Sequence, residues 1–498
     1  MKIRLTALLL CLCTLLCVLP ACGIGDGVET EAPTSGETEG TGQEATAPVS
    51  PDTESNTAPS TTPATEGETP VETKPAPTPN AEELARMEAM LSPDFAGREL
   101  PIGGWSTPAS VLRDHNTGEA GSYDKAFQLL ADAGLNYMIT LEEWSSGSWP
   151  VESLSSAHKA GLKLWFNCAG QSADYCMERI NAMLASEAAD ALVTIYAKDE
   201  PSFDGIGETA AIMAALREAL GEKRLPVMAN LLPTYASADL VTKDYRNYIR
   251  TYLEAAKPDR LMFDYYPYQG ASGDSLNAMM VNIAIAREEA DKAGIELYTF
   301  LQSSGQPAMR EPSVEEMRAN AHINLAMGVK GFAYFLVCEH YEGWEYSHML
   351  TAKGETTALY DKVKAVNTEL EAFKGVFLDY EYKGLLLANN NALPKLMERA
   401  GCNNTLVDSF GLIQTFETNR NLKAMIGCFQ NEEGRSAYYV VNPNYDKPVT
   451  VNLTFSDTRA YVLWTKNGAE RMDPTDALVL KLEKGDAAIL VEFDLYPD

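Results

Sequence analysis

Acid–base chemistry has an obvious candidate in one short stretch of this chain. YAKDEPSFDG, Tyr196 to Gly205, closes the apolar run ALVTIY with Asp199 and Glu200 side by side and Pro201 behind them. A run that reads as core has no packing reason to finish on two carboxylates. An unequal pair of acids does have a chemical use, because an ionised Asp199 would raise the pKa of Glu200 and hold its proton in place. A later run, RLMFDYYPY, finishes on Asp264 with Tyr266 and Tyr268 following. Two such carboxyl groups can divide the work of protonating a leaving atom and activating water. Acids at a helix start and a structural aspartate are the plainer readings of the same residues.

The elements that must position these groups follow from the pattern around them. Short apolar runs lie near Leu100, Met138, Trp165, Ile195, Met228, Phe263, Phe300 and Tyr334. Between them lie stretches such as ETAAIMAALREALGE and DYRNYIRTYLEAAK, with apolar residues at helical spacing. SVEEMRANAHINLAMG follows Pro312 and opens on the capping box Ser313 to Glu316. Eight β/α units at intervals of roughly 30 residues, each strand a buried apolar run, predict a (β/α)8 TIM barrel over residues 81–375. The last of its helices is ALYDKVKAVNTELEAFKG. From 376 to 498 the period changes to short strands (AMIGCFQ, SAYYVVNP, VTVNLTF, AYVLWT, ALVLKL, AAILVEF) separated by Asn, Pro, Gly and Asp, which predicts a small antiparallel β-sandwich.

The ends and the bulk set the context. MKIRLTALLLCLCTLLCVLPACG has a basic start and a short apolar stretch, so residues 1–21 read as a secretory leader. Its end, LPAC, resembles a bacterial lipobox. That implies cleavage before Cys22 and lipid on its thiol, with the chain exported, held to the membrane and facing outward. Residues 22–80 are Thr, Pro, Glu, Ser and Gly with almost no large apolar side chains, the composition of a disordered acidic linker. In a chain of 498 residues, the formal net charge of −30 argues against nucleic acid as a partner, which would demand clustered Lys and Arg. Of nine cysteines, Cys11, Cys13 and Cys17 would leave with the leader and Cys22 would be acylated. The remaining Cys168, Cys176, Cys338, Cys402 and Cys428 lack a CxxC spacing and read as buried free thiols.

In a barrel of this kind the active face lies at the carboxyl ends of the strands. Those ends carry Trp105, Glu142 and Trp144, Asn167, Asp199 and Glu200, Asn230, Asp264 and Tyr266, Gln302, and Glu339 with His340. Carboxylates, amides and aromatics converging on one mouth suit a sugar, whose C–H faces stack on rings while acids and amides fix its hydroxyls. An oligo- or polysaccharide is the expected partner. With DEP after the fourth strand, FDYYPY after the sixth and VKGFAYF at the eighth, the chain resembles the clan A glycoside hydrolases, specifically bacterial secreted barrels, over about residues 91–493.

The resemblance implies an acid/base Glu at the end of strand 4, the place of Glu200, with Asp199 standing where Asn is usual. It also implies a nucleophilic Glu at the end of strand 7, where this chain has Gln302. Either the second carboxylate comes from elsewhere, with Asp264 first and Glu339 or Glu142 behind it, or the barrel binds glycan without cleaving it. A base on strand 6 is expected across the mouth from strand 4, and a separation of about 6.5–9.5 Å would suit an inverting reaction. Trp105, Glu142, Asn167, Asn230, Tyr266, Gln302 and Glu339 are the expected substrate contacts. A barrel enzyme of another class, such as a lyase, is a third reading. No cofactor is expected. DGIGETA resembles a dinucleotide fingerprint, but its acidic surroundings would repel a pyrophosphate. CEHYEGWEYSH has no tight metal-ligand spacing, so no metal is expected.

Overall fold

The computed structural model describes residues 78–107, 121–140, 149–339, 343 and 345–497. Cys22, the leader and the linker up to residue 77 therefore fall outside the described residues, as do Glu142, Trp144 and His340.

Eight parallel strands close into a barrel: β1 (Ile102–Trp105), β2 (Tyr137–Ile139), β3 (Lys163–Asn167), β4 (Leu192–Lys198), β5 (Val227–Leu231), β6 (Arg260–Asp264), β7 (Glu296–Gln302) and β8 (Gly331–Phe335). They pair in sequence order, and β8 returns to β1 with Gly103 beside Ala333. The strands read as unbroken apolar runs because both of their faces are buried, one against helices and one in the barrel lumen. Lumen residues are unusually aromatic: Trp105, Tyr137, Trp165, Tyr196, Tyr298 and Phe300 pack with Met228 and Met262. Glycines make the room. A Cβ on Gly103 would lie 2.2 Å from the Tyr137 ring, and one on Gly331 2.3 Å from Tyr298. At the amino end of the lumen Arg260 donates to the Thr194 hydroxyl at 3.0 Å and sits against the faces of Trp165 and Tyr298.

Helices surround the barrel, and the expected capping box is formed. The Glu316 N–H donates to Ser313 Oγ at 3.2 Å, and the Ser313 N–H donates to Glu316 Oε2 at 2.9 Å. The five downstream cysteines are buried.

The C-terminal part is one antiparallel sheet in the order β10-β13-β15-β12-β11-β9, with β14 on the outside of β13. Its strands are β9 (Glu381–Ala388), β10 (Ile413–Thr418), β11 (Ala424–Gln430), β12 (Ser436–Val441), β13 (Val449–Thr465), β14 (Gly468–Leu482) and β15 (Ala487–Phe493). Two layers arise because β13 and β14 bend. The early part of β13 pairs with β10, and after register shifts between Thr454 and Tyr461 its later part pairs with β15. The pieces VTVNLTF and AYVLWT, expected as separate strands, are therefore one strand with a corner. Val451, Leu453, Phe455 and Leu480 pack over Ile426, Tyr438 and Leu490 between the layers. The other face meets the barrel, where His322 Nδ1 lies 2.7 Å from the Tyr439 hydroxyl. Strands β9 and β10 were not foreseen, and the helix Ala81–Leu91, inside the residues expected to form the barrel, packs on β13, β14 and β15, with Glu83–Arg435 and Arg86–Glu433 ion pairs to the turn between β11 and β12.

Candidate active site

Successive side chains of a strand point to opposite faces, so Asp199 and Glu200 could not both face the lumen if β4 simply ran on. The chain solves this by turning. The β4–β5 register shifts between Tyr196 and Lys198, and Glu200 adopts a left-handed backbone with φ of +44°. Its N–H is tied to the Asn230 carbonyl at 3.0 Å, and the next carbonyl, of Pro201, accepts from the Tyr248 hydroxyl at 2.6 Å. A non-glycine residue in this conformation costs on the order of 1 kcal/mol, the kind of strain found where function needs it.

The turn brings three carboxyl groups together. Asp199 Oδ1 accepts from the Tyr196 hydroxyl at 2.6 Å and from Asn230 Nδ2 at 3.4 Å. The same Asn230 amide donates to Asp264 Oδ1 at 3.0 Å. Glu200 and Asp264 share a side-chain hydrogen bond. Burial, first, then the charges of Asp264 and Asp199, then that hydrogen bond, hold the Glu200 pKa well above the usual carboxylate range. Asp264 is pushed up to about 7, chiefly by burial, against the bonds from Asn230 and Glu200 that favour its charge. Burial raises Asp199 too, opposed by its bonds from Tyr196 and Asn230 and by the charge of Lys198. The hydrogen bond between Glu200 and Asp264 raises Glu200 and lowers Asp264, so within the pair the proton rests preferentially on Glu200.

Two expectations change here. Asp199 was to be what keeps Glu200 protonated, but burial and Asp264 both outrank it. Asp264 was to stand across the mouth at a water's distance, but β4 and β6 flank a single strand, β5, and their terminal carboxyl groups touch.

Aromatic rings border the acids. Phe335 stacks on Trp105 at 5.5 Å and meets Tyr266 at 5.3 Å and Tyr346 at 5.6 Å. Tyr235, 42% exposed, stands edge-on to Tyr265 at 5.0 Å. Its phenol feels the charges of Asp264 and Glu200 and is hydrogen-bonded to the Tyr266 backbone. Sequence reasoning missed Tyr235, Tyr196, Phe335 and Tyr346. Tyr235 lies four residues beyond the end of β5, in LLPTYAS, and a reading of strand ends stops short of it; an aromatic behind Pro233 in a mouth loop was the available signal.

Other expected residues are spent elsewhere. Gln302, fully buried, accepts from the Tyr268 N–H at 2.9 Å and donates to the carbonyls of Tyr268, Ser304 and Arg310, so its amide organises loops. Glu339 accepts from the Gly343 and Ala352 N–H groups, both at 2.7 Å, one on each oxygen. Asn167 caps the turn after β3 by accepting from the Ala169 N–H at 2.8 Å, with its Nδ2 buried and unpartnered. Tyr268 is buried, its hydroxyl on the Glu316 carbonyl. Glu142 lies outside the described residues. A cavity of about 580 Å³ exists, but at the amino ends of the strands, where Arg98 and Arg287 already pair with Glu296 and Asp291. It holds no acid–base set, and the carboxyl cluster is the better candidate.

No protein-family model matches the chain, and no curated protein matches it. Among solved structures it is similar to α-L-fucosidase isoenzyme 2 from Paenibacillus thiaminolyticus, at 10% identity and a TM-score of 0.48, covering 74% of this chain and 96% of that one. It is also similar to the GH51 arabinofuranosidase from Xanthomonas axonopodis pv. citri, at 8% identity and a TM-score of 0.39, covering 74% and 89%. A third is the family 1 b-glucosidase from Thermotoga maritima, at 9% identity and a TM-score of 0.38, covering 55% and 98%. At such values these likenesses carry no argument, and the chemistry rests on the site's own residues.

Proposed function

We propose that the chain is a carbohydrate-active barrel that cleaves a glycosidic bond with Glu200 as the general acid. The observation that carries this reading is the Glu200–Asp264 pair, in which desolvation and the neighbouring carboxyl hold the Glu200 pKa well above the usual range at the mouth of the barrel, beside aromatic rings that can hold a sugar face. Asp264 is the partner that sets the proton on Glu200, and Asn230 fixes Asp264 and Asp199 relative to one another. Export and a lipid on Cys22 would present this site outside the cell on a long linker.

The test is Glu200→Gln, assayed against a panel of aryl glycosides and oligosaccharides. Turnover should fall by about 10³-fold or more while binding persists, since general acid catalysis contributes about 10²–10⁴-fold and burial of the pair adds to it. Unchanged turnover would remove Glu200 from its role. A second reading, a barrel that binds glycan and does not cleave it, draws support from Gln302, which stands at the end of β7 with its amide committed to backbone. Binding by the wild type to a glycan it never cleaves would establish that reading instead.

A further inference from the structure

Resting on Glu200 as proton donor, we infer that the nucleophile comes from the substrate: the site takes 2-acetamido-2-deoxy sugars, and Asp199 is the residue that holds and orients the acetamido N–H.

Two-carboxylate hydrolysis requires the second group on the opposite face of the sugar from the donor. The separation is about 5–5.5 Å when it attacks carbon directly and about 6.5–9.5 Å when it activates water. Asp264 meets neither condition while it shares a hydrogen bond with Glu200. Glu339 has both oxygens on backbone N–H groups, and Gln302 is an amide with every polar atom engaged. Asp199, Glu200 and Asp264 thus sit together at the ends of β4 and β6, with Tyr266 beside them and the Trp105 and Phe335 rings at the ends of β1 and β8.

Asp199 is built as an acceptor for something else. Both of its hydrogen bonds, from Tyr196 and Asn230, fall on Oδ1, which leaves Oδ2 to accept. It neighbours the proton donor in sequence, and the left-handed turn at Glu200 keeps the two carboxyl groups on one side. A pyranose presents a matching pair of neighbours: the glycosidic oxygen on C1, which Glu200 would protonate, and the substituent on C2, which Asp199 would meet. An acetamido group at C2 offers an N–H to Oδ2 and a carbonyl oxygen able to reach C1 from the face opposite the leaving group.

The steps balance. The acetamido oxygen forms a bond to C1 with a lone pair as the C1–O bond to the leaving group breaks, and the leaving oxygen takes the proton of Glu200. Asp199 takes the amide proton as the ring-fused oxazoline forms. Water then attacks C1 and gives its proton to the Glu200 carboxylate, the C1–O bond of the oxazoline breaks with its electron pair returning to the acetamide, and Asp199 gives the amide proton back to nitrogen. Two inversions give net retention, and Glu200 is protonated again.

The experiment uses the full chain and two sets of p-nitrophenyl glycosides, 2-acetamido and 2-hydroxy, in gluco and galacto forms. The 2-acetamido set should turn over at least about 10²-fold faster, because a site that hydrogen-bonds a substrate N–H rejects the analogue without it. Among 2-acetamido substrates, the rate should fall steeply as the methyl group is fluorinated, since each fluorine weakens the attacking carbonyl. Asp199→Asn and Asp199→Ala should each cut that turnover by about 10²-fold or more, with correct folding checked by circular dichroism and thermal melting. Equal or faster turnover of the 2-hydroxy set, or a rate indifferent to fluorination, overturns the inference while leaving Glu200 as donor; Glu142→Gln then tests whether that side chain supplies the nucleophile. Turnover of neither set removes hydrolysis and this inference together.

Discussion

Two carboxyl groups in this molecule are equally hidden from solvent and end in opposite chemical states. Asp264 on β6 and Glu289 on the helix Leu276–Ala293 are each 3% exposed. Asp264 lies deep at the barrel mouth among an amide and two other acids, and its pKa rises to about 7. Glu289 lies on the outer layer under the side chains of Arg246, Arg250 and Lys292, which donate to it at 2.6–3.1 Å. Burial pushes Glu289 upward as well, but those bonds win and bring it down to about 2. Exposure alone therefore does not separate a working acid from a structural one. The partners do. Cations fix Glu289 in its charged form and leave it nothing to do, whereas acids and an amide around Glu200 and Asp264 keep a proton mobile where a ligand can take it.

The contrast has a sign that solution measurements can reverse. Asp264 has a folded pKa above its ordinary 3.8, so the native state holds a proton that the unfolded chain has released. Its stability contribution is fully present below pH 4 or so and is lost as pH rises through about 7. Asp264→Asn has no such loss. Its stability relative to wild type should climb between about pH 4 and pH 8, by about 2 kcal/mol and at most about 4, since each pKa unit is worth about 1.4 kcal/mol and Glu200 shares the proton. The same variant should lose glycan turnover. Urea midpoints that run parallel for the two proteins across that range would remove Asp264 from the raised class.

Glu289 should behave in the opposite way and more weakly. Its folded pKa lies below the ordinary 4.5, so its contribution is present above pH 4.5 and lost as pH falls through about 2. The cover over Glu289 is thin, because Arg250 and Lys292 are themselves half-exposed, and water and salt screen the cluster. Glu289→Gln should cost about 1–2 kcal/mol at pH 7, less at high salt, and nothing near pH 2, with turnover unaffected. A cost that persists at pH 2 would mean packing, and not charge, is what the residue supplies.

The barrel was legible because parallel strands buried on both faces leave continuous apolar runs, and Asp199, Glu200, Asn230 and Asp264 were legible because a strand end is a place one can count to. What hid was long-range. Glu339 serves N–H groups four and thirteen residues away, and Gln302 serves a carbonyl 34 residues back, so neither commitment shows in local pattern. The contact between Glu200 and Asp264 depends on a backbone turn that breaks strand alternation, which residue types do not announce. In the C-terminal domain, Pro474 and its neighbouring Asp residues read as a turn but lie within β14, whose outer edge has no partner strand among the described residues and tolerates a proline.

The finest test of the comparison changes a partner and leaves every acid in place. Tyr196→Phe removes the hydroxyl that donates to Asp199 Oδ1 and keeps the ring in the lumen. The native fold should lose about 1 kcal/mol, the worth of a bond to a charged acceptor less what Asn230 retains. The Tyr196 bond favours ionised Asp199, so its loss should raise the Asp199 pKa further, and the acid limb of the pH–rate profile should move to higher pH. The turnover number at the optimum should change far less than in Asp199→Asn. A profile that stays in place as stability drops would show that burial, and not the hydroxyl, governs Asp199, and the distinction drawn between the barrel mouth and the Glu289 cluster would narrow to the Glu200–Asp264 pair alone.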